Sequence, residues 1–99
     1  MSENIDISLE DHGKKGRYVL RPEGTAEEAE LTFSRASDSL VIVDHTGVPD
    51  AFRGRGYGKV LAERIVADAR KSGFKIVPLC PFFKAQALRH PDWADVVSG

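Results

Sequence analysis

Only one cysteine, Cys80, occurs among the 99 residues, so an internal disulfide is excluded. A single free thiol fits a reducing compartment, and we expect a cytoplasmic protein. No apolar run approaches the roughly 20 residues that a membrane-spanning helix needs, so no membrane partner is expected. The N-terminal "MSENIDISLEDHGKK" also lacks the basic and then apolar stretches of an export signal.

A large net charge is absent as well, since the formal charge is -1, which argues against a general nucleic-acid binder. The balance hides an asymmetry: residues 1–50 carry 5 basic and 11 acidic side chains, and residues 51–99 carry 9 and 4. The basic second half favours a local anion site, although solvated faces with a chance bias would give the same numbers. No pair of cysteine or histidine residues has metal-ligand spacing, so no metal is expected.

The length predicts one domain over residues 1–99 and leaves the oligomeric state open, with a monomer favoured. Apolar and polar residues alternate in "IDISL", "RYVLR" and "AELTF", and "GKKG" between the first two predicts a hairpin. The continuous apolar run at residues 40–43 predicts a central strand that is buried on both faces. Four strands are therefore expected before the first helix.

The apolar period changes to that of an amphipathic helix over about Tyr57–Lys71, with Gly73 at its C-cap. "FKIVPL" predicts a short buried strand, and Pro81 begins a helix that ends near Arg89. "PDWADVV" predicts a last short helical turn. The order ββββ-α-β-α predicts a mixed sheet of the α/β or α+β class, in which the helix Tyr57–Lys71 connects two parallel strands.

A basic, glycine-rich segment, "RGRGYGK" from Arg53 to Lys59, lies between the central strand and this helix. A helix start offers N–H donors and partial positive charge, and glycine lets the backbone approach a ligand closely. This order of strand, loop and helix predicts a phosphate nest. The spacing of the glycines matches neither the dinucleotide pattern G-x-G-x-x-G nor the Walker A pattern. A tight basic turn without a ligand is the alternative.

The stretch "RGRGYG" resembles the pyrophosphate loop, [QR]-x-x-G-x-[GA], of the GNAT superfamily of acetyl-CoA-dependent N-acetyltransferases. "DHTGVPDAFRGRGYGKVL" and "KIVPLCPFFKAQALRHPDW" resemble its short one-domain subfamily, whose last core strand ends in Cys-Pro-Phe. The resemblance covers about residues 40–95. It implies a compact GNAT-like fold that holds CoA or acetyl-CoA between two splayed parallel strands. The implied cofactor-binding residues are Val48, Arg53, Gly54, Arg55, Gly56, Tyr57, Gly58 and Lys59.

By the same resemblance, the chain would transfer an acetyl group to a small or peptidyl amine. Many full-length members have a tyrosine on the last helix that protonates the departing thiolate, and "FFKAQALRH" offers none. The chain is also too short for the N-terminal helices that often shape the acceptor pocket. These departures motivate the alternative of a non-catalytic CoA- or acyl-CoA-binding module. The RNA-binding interpretation of "RGRGYGK" is weaker, because an ordered helix follows at once.

Two side chains are candidates for the chemistry. Cys80 immediately precedes the helix that starts at Pro81, and a helix N-terminus favours the thiolate. Cys80 would then accept the acetyl group. The alternative is that it packs as a small buried residue. His45 lies near the end of the central strand, where it would accept a proton from Cys80 or from the amine, or would hydrogen-bond to the strand end.

Overall fold

The computed structural model describes residues 5–98 and contains one five-stranded sheet and two helices. The elements in chain order are β1 (Ile5–Asp11), β2 (Lys15–Pro22), β3 (Ala29–Ser37), β4 (Leu40–Gly47), α1 (Tyr57–Ser72), β5 (Lys75–Pro78) and α2 (Pro81–Arg89). Short 3₁₀ turns span Asp50–Phe52 and Pro91–Asp95. Residues 1–4 and 99 lie outside this description. The N-terminal segment for which we expect no export signal begins in these residues.

The order of strands in the sheet follows the chain. Strands β1 to β4 form an antiparallel meander, and β5 pairs with β4 in parallel, so the predicted mixed sheet is confirmed. Parallel neighbours need a long crossover, which α1 provides. The helix ends as predicted at Gly73, whose φ of 85° is left-handed and whose N–H donates to the Ala69 carbonyl at 2.8 Å.

Both helices pack against one face of the sheet and form a single hydrophobic core with it. This core face receives alternate residues of the strands, among them Leu31 and Val43, and the apolar side of α1, including Leu61 and Ile65. Phe83 of α2 is fully buried in the same cluster. The two-residue period of the strands and the helical period of α1 therefore meet in one interior.

The central strand β4 is buried on one face only, so the prediction of burial on both faces is wrong. Val41 and Val43 are buried, whereas Leu40 and Ile42 are half-buried. The physical reason is that both helices lie on the core face, which leaves the opposite face of the sheet, here called the open face, without a covering layer in residues 5–98. The strand β5 also buries only one residue, Ile76.

Charged side chains cover part of the open face. Arg17 of β2 contacts Glu10 at 2.8 Å, Glu28 at 3.2 Å and Glu30 at 2.8 Å. The hydrogen bonds to Glu10 and Glu30 raise the pKa of Arg17, and the bond to Arg17 is the largest cause lowering the pKa of Glu10. Val19, which points to the same face as Arg17, is fully buried. The ion pairs therefore shield an apolar strand position that no helix covers.

The end of α2 is closed by His90, whose N–H donates to the Ala87 carbonyl at 3.1 Å. Its ring stacks on Trp93 with centroids 4.2 Å apart, and Nδ1 lies 2.8 Å from the Gln86 carbonyl oxygen. Because a carbonyl oxygen only accepts, Nδ1 carries the proton. Neither helix, within the part of the chain that the structure describes, is long and apolar enough to cross a membrane.

Candidate functional site

The basic loop between β4 and α1 contains two glycines in a left-handed conformation. Gly54 has φ 81° and Gly56 has φ 75°, and Gly56 is the N-cap residue of α1. A β-carbon at either position would meet no atom within 4 Å, so the space above the loop is open. Glycine is required here by the backbone conformation and not by crowding.

The start of α1 is suited to bind an anion. Its ladder of helical bonds starts with the Val60 N–H, which donates to the Gly56 carbonyl at 3.1 Å, and the first N–H groups of a helix point along its axis away from that ladder. No side chain in residues 5–98 caps this end, and its first turn contains no acidic residue. The partial positive charge of the helix start is therefore not neutralised by a carboxylate of the first turn.

The loop cations lie at the surface. Arg53 contacts Asp50 at 3.2 Å, but both side chains are more than four-fifths exposed, and such pairs contribute little. Arg55 and Lys59 are exposed as well. The loop that leads into the helix start thus contributes three exposed cationic side chains.

Two of the predicted loop residues, Tyr57 and Gly58, pack against aromatic rings. Tyr57 is 2% exposed and packs edge-on against Phe52, with ring centroids 5.1 Å apart, so only its backbone can face a ligand in the loop. Gly58 lies in the helix, where an added β-carbon would be 2.6 Å from Cζ of Phe82. Its lack of a side chain makes room for that ring.

The parallel strands β4 and β5 separate after a short pairing. Their last paired residues are Val43 and Pro78, and the Cys80 N–H still donates to the Val43 carbonyl at 2.9 Å. Beyond this point β4 continues to Gly47, while the chain after β5 turns into α2. The separation lies beside the basic loop, because Phe82 of α2 reaches Gly58.

Cys80 lies at this separation, as the N-cap residue of α2. It is 3% exposed, and its Sγ donates to Oγ1 of Thr46 on β4 at 3.5 Å. Thr46 was not among the residues predicted for the site, because nothing in the pattern of "DHTG" indicates which of its side chains turns toward the core.

A bulge in β4 decides that question. The pairing of β3 with β4 steps from Thr32–His45 to Phe33–Val43, so Asp44 has no partner of its own. Phe33 and Val43 face the core, which places Thr32 and His45 on the open face. His45 is exposed there, whereas Cys80 is buried on the core side. The structure therefore does not bring the two predicted catalytic side chains together.

The end of β4 also borders a cavity of about 460 Å³ on the open face. A β-carbon at Gly47 would lie 3.2 Å from Nε2 of His45 and 3.7 Å from Cγ of Glu30. The cavity is lined by Arg17, Glu28, Glu30, Gly47, Val48 and Pro49. Glu30 was not predicted as a site residue, since its alternation in "AELTF" indicates only a polar strand face.

Comparison with known proteins relates the chain and its fold to a described family. Residues 17–96 match the family model for GCN5-related N-acetyl-transferases. The solution NMR structure of a candidate GCN5-like N-acetyltransferase from Staphylococcus aureus superposes with a TM-score of 0.70 and 28% identity, covering 93% of this chain and 88% of that chain.

The chain is also similar to proteins named NATD1. It is 29% identical over 91 residues to the NATD1 of Xenopus tropicalis, which covers 92% of this chain and 84% of that protein. It is 26% identical over 91 residues to the NATD1 of Gallus gallus, with 92% and 83% covered. These similarities span both the loop and the segment around Cys80.

Proposed function

The chain belongs to the GCN5-related N-acetyltransferase family, and from this premise we propose that it transfers an acetyl group from acetyl-CoA to an amine. The observation that carries the proposal is the uncapped start of α1, which follows two left-handed glycines under open space. An oligophosphate is the anion that such a nest and three nearby cations bind best.

The pyrophosphate of CoA would be held by the loop from Arg53 to Lys59. The N–H groups of Arg53 and Arg55 already donate to the carbonyls of Asp50 and Phe52, so the donors to the phosphate oxygens would come from Gly56 and the first turn of α1. The side chains of Arg53, Arg55 and Lys59 would add charge from the surface. The space above Gly54 and Gly56 fits this role, because side chains there would occupy the position of the phosphates.

The pantetheine arm would extend into the separation between β4 and β5. Three apolar side chains that are unusually exposed for their type flank this separation: Val48 at 37%, Leu79 at 66% and Phe82 at 39%. An aliphatic arm would shield them from water, which is favourable in proportion to the apolar area covered. Backbone groups near Val48 would hydrogen-bond to the amides of the arm.

When bound, acetyl-CoA supplies an activated acetyl thioester. We infer direct transfer, because His45 faces the open side and is not in contact with Cys80. His45 would accept one proton from the ammonium form of the acceptor, and the neutral nitrogen would then bond to the acetyl carbon as the carbon–sulfur bond breaks. Of the two protons left on the nitrogen, one would pass to the leaving sulfur and the other would stay on the amide, while Cys80 with Thr46 would line the thioester end of the arm.

The test separates an enzyme from a binding module. Isothermal titration with CoA measures binding, and release of free CoA thiol from acetyl-CoA in the presence of primary amines measures turnover. Binding with amine-dependent turnover is expected. Binding without turnover on any amine would leave a CoA-binding module, and no heat of binding at millimolar CoA would refute the cofactor as well.

A further inference from the structure

The cavity at the end of β4, here called the Gly47 cavity, is flanked by polar side chains that have no role in the proposed binding of CoA. Nε2 of His45 and the side chain of Glu30 flank the missing side chain of Gly47 on the open face. The same cavity adjoins Val48, whose backbone is proposed to hold the arm of the donor. A group that entered over Gly47 would therefore lie between a basic nitrogen and a carboxylate, one residue along β4 from Thr46, whose side chain is proposed to line the thioester from the other face.

The charge of the cavity is set by the ion pairs on the open face. Arg17 and Arg21 neutralise two of the three carboxylates of Glu10, Glu28 and Glu30, so the network carries one net negative charge. Arg17 is hydrogen-bonded to three carboxylates at once and is held away from an incoming anion. The cavity therefore attracts a cationic group of a ligand and would repel a carboxylate on the same ligand.

Resting on the function proposed above, we propose that the Gly47 cavity binds the acceptor as an n-alkylammonium group without a neighbouring carboxylate. The ammonium lies over Gly47, donates to the carboxylate of Glu30 and gives one proton to Nε2 of His45. The neutral nitrogen, which keeps two protons, then bonds to the acetyl carbon and the carbon–sulfur bond breaks. One of the two protons passes to the sulfur, and the other stays on the amide nitrogen. A free alkylamine and the side chain of a peptide lysine share this chemistry.

Three acceptors of similar length distinguish these possibilities in an assay of CoA thiol release at fixed acetyl-CoA. They are n-butylamine, 4-aminobutanoate, in which a carboxylate replaces the terminal methyl group, and Nα-acetyl-lysine methylamide. We expect kcat/KM for n-butylamine to exceed that for 4-aminobutanoate at least tenfold. A higher kcat/KM for the lysine derivative would assign the ammonium to a peptide, and a higher value for n-butylamine would assign it to a free amine. Equal use of n-butylamine and 4-aminobutanoate would overturn the proposal.

Two variants test the residues. Glu30→Gln should lower kcat/KM for n-butylamine at least tenfold and reduce its preference over 4-aminobutanoate. The matched control Glu27→Gln removes the same charge from an exposed neighbour outside the cavity and should change neither. The thermal shift produced by CoA should be unchanged in both variants, which shows that they fold and bind the donor. Unchanged kinetics in Glu30→Gln would refute the assignment.

A readout without turnover separates this inference from the proposed function. Amide NMR shifts of residues 45–48 should move when n-butylamine hydrochloride is added to the wild-type protein with CoA, and should move less in Glu30→Gln. If no amine is turned over but these shifts occur, the ammonium site stands and catalysis does not. If the shifts are absent from the wild type, the ammonium site is refuted whatever the kinetics show.

Discussion

Gly58 and Phe82 are in direct contact, since a β-carbon at position 58 would lie 2.6 Å from Cζ and 2.8 Å from Cε2 of the ring. Gly58 belongs to the first turn of α1, and Phe82 follows Cys80 and Pro81 at the start of α2. The glycine-rich loop and the segment after β5 thus meet through one close approach. The position of the helix that is proposed to bind phosphate therefore depends on a ring next to Cys80 and Pro81.

This contact predicts a change of sign in a double-mutant cycle. Gly58→Ala should destabilise the wild-type protein by about 1 kcal/mol, because the half-exposed ring must move. In the Phe82→Ala background the same substitution should stabilise by up to ~1 kcal/mol, since alanine is the better helix former. Urea unfolding of the four proteins measures both steps. Equal effects in the two backgrounds would mean that the ring does not restrict position 58.

The loop predicts a selective loss of CoA binding. In the wild type, CoA at about 100 times its Kd should stabilise the fold by about 2.7 kcal/mol, which differential scanning fluorimetry detects. Gly56→Glu should abolish this shift, because the new carboxylate would occupy the proposed site and repel anions from it. The substitution also strains the left-handed backbone at this position. Gly24→Glu is the control: Gly24 has a similar φ of 87° and equally open space, so it should lose comparable stability but keep the shift.

Direct transfer predicts a limited role for the thiol. Cys80→Ala should keep the CoA-induced thermal shift and lower turnover by less than about tenfold, because the side chain would only line the arm. A loss of 10²-fold or more, together with an acetylated Cys80 peptide in mass spectrometry, would instead establish transfer through the cysteine. Thr46→Val removes the contact at Sγ and should resemble Cys80→Ala if lining is the shared role.

The open face predicts that one histidine carries the proton transfer. His45→Gln should lower turnover by about 10²-fold, at the lower end of general-base effects, and leave CoA binding intact. His12→Gln is the control, since His12 is also exposed but lies in the turn after β1. Steady-state rates with one amine compare the two variants, and equal rates in both would remove His45 from the mechanism.

A buried tyrosine predicts the alkaline limit of stability. Burial and then the 2.6 Å hydrogen bond to Asp68 raise the pKa of Tyr18 above its ordinary value near ~10. The unfolded chain therefore ionises first, so this contribution is complete below pH ~10 and falls as the pH rises further. Tyr18→Phe should cost about 1 kcal/mol at pH 7 but give a flatter decline of the unfolding free energy between pH 9 and 11.

Sequence patterns predicted the elements well because their signals are local. The hairpin between the first two strands, the helix that begins at Tyr57 and its end at Gly73 depend on glycine and apolar spacing, and the structure confirms them, with the hairpin turn at residues 12–14. The glycine loop was equally visible in advance. The one-sided burial of β4 was not, since an apolar run does not reveal where the helices pack.

Local backbone preferences and apolar periods are encoded by neighbouring residues, so the sequence alone determined the element order, the mixed sheet and the basic glycine loop before α1. Only the tertiary structure decided which side chains meet. The bulge at Asp44 reverses the strand alternation, and it turns His45 to the open face and Thr46 toward Cys80. Because a bulge arises from the pairing of two strands, the partners of Cys80 and His45 were decided by contacts between distant parts of the chain.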